Sequence, residues 1–268
     1  MMKVKAFYFS ATGTTEKIVL ALARNLSLII NGSEKVDAYD FTLIENRIDS
    51  PELSKEDLVV VGVPVYAGRV PNVLLNYLSG IEGSGAQTVA VVVYGNRNYD
   101  DALIELKDIL EHNNFQIVAT TAFIGEHAFS KTLAKGRPNV EDLKIVEEFA
   151  NRILDEKKKV GNATPKGNPN YNSYYKPLDE EGNPVDIRKV KPKTNDKCIN
   201  CLICVNVCPM GAISKEDVRV LTNICIKCCA CIKRCPVGAK FFDDEDYLRH
   251  KRELEEQFSE NKKPELFV

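Results

Sequence analysis

Eight of the nine cysteines in this 268-residue chain fall on one spacing used twice. The first run is Cys198-x₂-Cys201-x₂-Cys204-x₃-Cys208-Pro209. The second begins 27 residues later as Cys225-x₂-Cys228-x₂-Cys231-x₃-Cys235-Pro236. Each quartet has the spacing that wraps a [4Fe–4S] cluster. Three thiolates come from one tight loop, and a fourth follows three residues on, ahead of a proline. The chemistry such a chain would do is one-electron transfer. Zinc sites favour separated Cys pairs closing a tetrahedron, and a disulfide framework needs an oxidising compartment; neither suits these runs. Cys229, the ninth, is out of frame with both quartets. It is expected as a small buried residue beside the second one, with a spare oxidisable thiol as the sharper alternative.

The two runs also form an internal repeat. CINCLICVNVCPMGAI aligns with CIKCCACIKRCPVGAK without a gap, and Cys, Ile, Pro, Gly and Ala recur in place. Over roughly residues 195–242 this stretch resembles the bacterial two-cluster ferredoxin family. The resemblance implies a small α+β module in which the fourth cysteine of each run serves the other cluster. Cys198, Cys201, Cys204 and Cys235 would hold the first cluster, and Cys225, Cys228, Cys231 and Cys208 the second.

A second group of chemical residues lies near the N-terminus, in FYFSATGTTEK. Ser10, Thr12, Thr14 and Thr15 offer hydroxyls, and Gly13 lets the backbone approach a ligand closely. The run ends at a predicted helix start, where free N–H groups and the helix dipole favour an anion. It is neither a Walker A loop nor G-x-G-x-x-G. It suits a phosphate held by neutral donors, the plainer alternative being a hydroxyl-rich helix cap.

The elements that position these residues alternate. Apolar runs at Val4–Phe9, Lys35–Phe41, Leu58–Val65, Thr88–Tyr94 and Phe115–Ile124 read as strands, with helical periodicity at Thr14–Leu26, Asn72–Leu78, Asp101–His112 and Val140–Lys159. Continuous apolar strands separated by helices imply a parallel sheet covered on both faces. Ligands on such sheets sit beyond the C-terminal strand ends, at the switch point.

Residues 1–155 resemble the flavodoxin family, most specifically at Ser10-Ala11-Thr12-Gly13-Thr14-Thr15-Glu16, which matches its FMN phosphate loop. The family's usual Asn is Thr14 here, and a usual Ala is Val19. The resemblance implies an α/β, doubly wound, five-stranded parallel sheet of order 2-1-3-4-5. It implies that Pro64, Val65, Tyr66, Ala67, Gly68 and Arg69 after the third strand, and Tyr94, Gly95, Asn96, Arg97 and Tyr99 after the fourth, flank the isoalloxazine. Tyr66, Tyr94 and Tyr99 are the stacking candidates, against plain core packing. Flavodoxins often carry an acid after the loop glycine. Arg69 and Arg97 are cations instead, and a cation beside the flavin would favour its anionic reduced form by Coulomb attraction. The alternative is that both arginines face solvent or a partner. His127, in Gly125-Glu126-His127 after the fifth strand, is expected near the flavin edge in a hydrogen-bonding role.

The chain is therefore expected to comprise a flavodoxin-like domain (1–160), a Pro/Gly/Asn-rich linker (161–194), a two-cluster module (195–242) and a charged helical tail (243–268). Residues 1–160 carry 18 basic and 22 acidic side chains, whereas residues 195–240 carry 7 and 3. A basic cluster module, unlike a typical acidic ferredoxin, fits its own acidic flavin domain or an acidic redox partner. Nucleic acid is a poor fit to a chain of net charge −2 with no aromatic–basic platform. With no h-region at the start and no apolar run of spanning length, a cytoplasmic location in an anaerobic cell is expected. Two functions follow: an electron carrier linking FMN and clusters to a redox protein, or an FMN-dependent reductase using NAD(P)H or reducing a quinone or nitro compound. No second dinucleotide fingerprint is present, which favours the carrier.

Overall fold

The runs that read as continuous apolar segments become the middle of a sheet. β1 (Lys3–Tyr8), β3 (Asp57–Pro64) and β4 (Gln87–Tyr94) are buried almost throughout, and β5 (Gln116–Ile124) is buried over its second half. A computed structural model describes residues 2–48, 51–156 and 163–268. β2 (Asp37–Asp40) is a short, exposed edge strand. All four pairings among these strands are parallel, in the order β2-β1-β3-β4-β5, as the sequence predicts.

Helices cover both faces. On one, Ile18, Leu22 and Leu26 of α1 (Thr14–Asn31) meet Val146, Phe149 and Ile153 of α4 (Val140–Glu156) over Val4, Ala6, Val60 and Val91. On the other, the short α2 (Leu75–Leu78) and α3 (Ala102–His112) place Leu78, Leu103, Leu106 and Leu110 against Phe7, Val59, Val61 and Val92. Burying side chains of this size stabilises by about 1.5–3 kcal/mol each. The predicted end of the last helix, 157–159, and the start of the linker, 161–162, lie outside the described residues.

The chain leaves β1 toward β2 and returns beyond β1 to β3. The loops after β1 and β3 therefore part at the switch point, which opens a crevice there.

The tail departs from expectation. Residues 245–257 form the expected helix, α7 (Glu245–Gln257), but the chain then runs back to add β8 (Glu265–Phe267) antiparallel on β5. Thr121 Oγ1 donates to Glu265 O at 2.8 Å. This covers a sheet edge that would otherwise present unpaired backbone groups.

The cysteine-rich module is small. Its ends are tied by the antiparallel pair β6 (Lys193–Thr194) and β7 (Lys240–Phe241), and its two helical turns are α5 (Ile203–Asn206) and α6 (Ala230–Lys233). Among the described residues no helix is long and apolar enough to cross a membrane.

Candidate cofactor sites

The sequence repeat is a structural repeat. Asn200 and Leu202 in the first run, and Lys227 and Cys229 in the second, all take positive φ between 53° and 60°. These left-handed steps turn each loop so that successive cysteines point inward. Ala212 N–H donates to Cys208 Sγ at 3.2 Å, and Ala239 N–H donates to Cys235 Sγ at the same distance.

Two pockets result. Cys198, Cys201, Cys204 and Cys235 line one. Cys225, Cys228, Cys231 and Cys208 line the other, with Cys229 also on its wall. The fourth cysteine of each run thus faces the other run's pocket. Among the described residues no group of His, Cys, Asp and Glu closes on a single metal ion. A cubane spreads its thiolates more widely than one ion does, so the donor set suits a cluster.

The loop after β1 is anchored from behind. Ser10 N–H donates to Thr42 Oγ1 at 2.8 Å, and Glu16 N–H donates to Ser10 Oγ at 3.0 Å. Gly13, at φ +89°, is the N-cap of α1 and supplies no side-chain cap. Thr12 and Thr14 are half-buried. With Glu16 N–H taken by Ser10 Oγ, the N–H groups of Thr14 and Thr15, which have no intrahelical partner as in any helix, remain as the backbone donors of this loop cradle. A Cβ on Gly13 would lie 3.3 Å from Arg234 Nη2 of the cysteine-rich module. A phosphate fits this cradle by its donors.

The loops after β3 and β4 are built differently from expectation. Tyr66 and Arg69 bond reciprocally, Tyr66 N–H to Arg69 O at 3.0 Å and Arg69 N–H to Tyr66 O at 3.1 Å, around an Ala67-Gly68 turn with φ 51° and 80°. A side chain at Gly68 would collide with Asp100 Oδ2. Pro64 and Val65 lead into this turn, and Val65 N–H donates to Val93 O at 2.9 Å.

Arg69 is not a free cation in the loop after β3. Its guanidinium grips Glu105 with Nε–Oε2 at 2.8 Å and Nη2–Oε1 at 2.6 Å, and lies over the rings of Tyr171 and Tyr174. Arg97 pairs with Asp100 and lies over Tyr175. Each arginine is neutralised by a carboxylate and used to hold the linker. The linker is strapped down by Asp101 as well. Asn168 and Asn172 N–H groups donate to its two carboxylate oxygens at 2.8 and 2.7 Å. Burial would push the Asp101 carboxyl up, but these donors hold it below the usual range.

Two of the three stacking candidates are core residues. Tyr94 and Tyr99 are 5% and 4% exposed and pack edge-on against each other at 5.6 Å. Tyr66 alone is half-buried at the loop, and burial, followed by the nearby Cys228 and Cys229 thiols, raises its phenol well above its ordinary value. Asn96 is buried, and its Nδ2 donates to Phe258 O at 2.6 Å and Glu260 O at 2.8 Å in the tail. Gly95 lies against the ring of His127. His127 Nδ1 accepts Phe129 N–H at 3.1 Å, so its proton sits on Nε2.

The cysteine-rich module docks on this crevice. Lys233 Nζ reaches Glu126 Oε1 at 2.5 Å and Ser130 O at 2.6 Å. Arg47 donates from Nη2 to Pro209 O at 2.9 Å. Cys228 and Ala230 share one apolar cluster with Phe9 and Ala11, against which Tyr66 and Ile226 pack. Cys229 is 3% exposed, with Sγ 3.6 Å from Tyr247 OH. Burial pushes its thiol up to about 12, as befits a packing residue rather than an exposed reactive one.

Glu105, Asp101, Glu126 and Arg234 are not singled out by sequence reasoning, whereas the linker tyrosines suggest from the sequence a linker laid on a surface, as Tyr171, Tyr174 and Tyr175 are here. One signal was available for Arg234. The repeat alignment puts Lys233-Arg234 opposite Asn206-Val207, so the two cations are not required by the cysteine framework itself.

The family described as 4Fe-4S binding domain matches residues 192–214. The chain joins a flavodoxin-type fold to a ferredoxin-type 4Fe–4S segment. Solved structures similar to it include the flavodoxin of Streptococcus pneumonia TIGR4, at 17% identity and TM-score 0.40, covering 58% of this chain and 99% of that one. The oxidised Flavodoxin 2 of Bacillus cereus is 14% identical at TM-score 0.42, covering 57% and 99%. The Fusobacterium nucleatum flavodoxin bound to flavin mononucleotide is 16% identical at TM-score 0.38, covering 58% and 99%. No curated protein matches the chain.

Proposed function

We propose that this chain is a cytoplasmic iron–sulfur flavoprotein that transfers electrons between FMN, two [4Fe–4S] clusters and a separate redox protein. When bound, FMN exchanges electrons singly or in pairs and each cluster one at a time, so the two together interconvert one- and two-electron chemistry. The chain's own residues supply binding, orientation and enclosure. Ser10, Ala11, Thr12, Gly13, Thr14 and Thr15 would hold the FMN phosphate. The loops at 64–69 and 94–99 would flank the ring, with Tyr66 as the stacking residue. Each pocket's four cysteines would hold one cluster.

One observation carries the reading. The wall of the Cys225–Cys228–Cys231–Cys208 pocket is continuous with the flavin loops, through Cys228, Ala230 and Tyr66. The other pocket faces outward, with Cys201 exposed and Ile199 63% exposed. That order, flavin site, inner pocket, outer pocket, suits transfer through the module to an external protein. The excess of basic side chains on the module favours an acidic docking surface on that partner.

The test is anaerobic purification with quantification of iron, sulfide and flavin, followed by separate addition of NADH, NADPH and reduced ferredoxin. About eight irons and one FMN per chain are expected, with bleaching by the protein donor only. Four irons would remove one cluster from the proposal. Bleaching by a pyridine nucleotide alone would make the chain a reductase.

A further inference from the structure

Arg234 is a solvent-exposed residue of the cysteine-rich module whose guanidinium nonetheless reaches the loop after β1. Its Nη2 lies 3.3 Å from the position a Cβ on Gly13 would take, at the N-terminal end of the 18-residue helix α1. That end carries the positive pole of the helix dipole, and a cation there is disfavoured unless an anion lies between. Glu126 is engaged by Lys233, and neither Glu16 in the first turn of α1 nor any other acid forms an ion pair with Arg234 among the described residues. Nor does the cysteine framework require it, since the equivalent residue in the first run is Val207. The loop beneath carries the half-buried Thr12 and Thr14 and the glycine N-cap of α1.

We infer that Arg234 is a ligand for the FMN phosphate, supplied by the cysteine-rich module across the seam to the flavin domain. This rests on the FMN reading above. The loop provides neutral donors, and the guanidinium provides the charge that an otherwise neutral cradle lacks. A charged donor to phosphate is about twice as strong as a neutral one. Because one module contributes the loop and the other the arginine, flavin binding and module docking are thermodynamically linked. FMN favours the docked arrangement, and docking raises FMN affinity by the same factor.

The test uses the full chain with clusters loaded, stripped of flavin and titrated with FMN or with riboflavin, which lacks the phosphate. Binding is read by quenching of flavin fluorescence. Arg234→Ala is expected to weaken FMN by about tenfold and to leave riboflavin unchanged, with Arg234→Lys recovering part of the loss. Raised salt should weaken FMN in wild type more than in Arg234→Ala. Iron content and far-ultraviolet dichroism report whether each variant is folded and loaded. Equal FMN affinity in wild type and Arg234→Ala overturns the inference, as does equal weakening of FMN and riboflavin, which would mark a structural role. Wild type that binds neither flavin overturns the FMN reading itself, and the inference with it.

Discussion

Lys233 and Glu126 meet at 2.5 Å across the seam between the cysteine-rich module and the C-terminal end of β5. The lysine is half-enclosed and also donates to Ser130 O, so it acts as a clasp between the two parts of the chain. Burial would raise the Glu126 carboxyl, but Lys233 and the Gly136 N–H hold it below its usual range. A carboxyl so lowered contributes stability that is complete above its unfolded value and is lost as pH falls through its folded one. A double-mutant cycle of Lys233→Ala and Glu126→Gln is expected to give a coupling of about 1 kcal/mol at neutral pH. A coupling below about 0.3 kcal/mol, within ordinary additivity, would assign the seam to its other contacts, the Arg47–Pro209 hydrogen bond and the apolar cluster.

Arg69 tests what an arginine in the loop after β3 is for. Glu105 is 3% exposed and depends on the guanidinium and on Val70 N–H at 2.8 Å. Arg69→Ala therefore strands a buried carboxylate, with an expected loss of about 3 kcal/mol in denaturant unfolding. Arg69→Ala/Glu105→Gln should recover much of it. The FMN potential of this double variant should match wild type, because the pair it removes is already neutral. A markedly more negative potential would restore the arginine to an electrostatic role at the flavin.

What the sequence reveals depends on how local the cause is. The cysteine spacing, the valine-rich strands and the SATGTT loop are local patterns of a few residues, and they carry the resemblances that imply the strand order and the pocket-lining cysteines. Tyr94 and Tyr99 do not. A tyrosine at a strand end reads the same whether it faces a ligand or the core, and here Tyr99 turns in to meet Tyr94 and Glu265. Arg69 reads as a free cation because its partner Glu105 lies 36 residues away on α3. β8 is three residues inside a charged tail, and it is a strand only because β5 offers an edge.

His127 predicts a pH dependence. It is enclosed by Gly95 and Phe129, and the charged or titratable groups facing it are His250, Lys233, Glu255 and Arg97. Burial, then His250, Lys233 and Arg97, lower its value to about 4, with Glu255 opposing. The folded value lies below the ordinary one near 6.5, so between these limits the unfolded chain binds more protons. Stability should be complete above about pH 6.5 and fall as pH drops toward 4. His127→Gln, which keeps an acceptor for Phe129 N–H, should lose less stability than wild type between pH 7 and pH 5. Equal loss in the two proteins would show that His127 titrates normally.

The tail is expected to hold both the sheet edge and the second flavin loop. Residues 265–267 pair with Ala122, Thr121 and Thr120, while Phe258 and Glu260 carbonyls take both protons of Asn96 Nδ2. Arg97 O accepts from Lys262, and Tyr99 OH donates to Glu265. A chain truncated after Phe258 removes the strand and most of these contacts at once. Its amides at 120–122 should exchange with solvent faster by more than tenfold, since an edge strand loses its partner while β1 and β3 keep both neighbours. The loop at 94–99 should lose protection with them, and FMN affinity should fall. A shorter truncation after Pro264 separates the effects, because it deletes β8 and the Tyr99 contact but keeps the carbonyls that hold Asn96. Hydrogen exchange read by mass spectrometry should then show β5 loosened with most of the loop's protection kept. If β5 stays protected in both truncations, the tail adds nothing to the sheet, and the loop must be fixed from within the flavin domain.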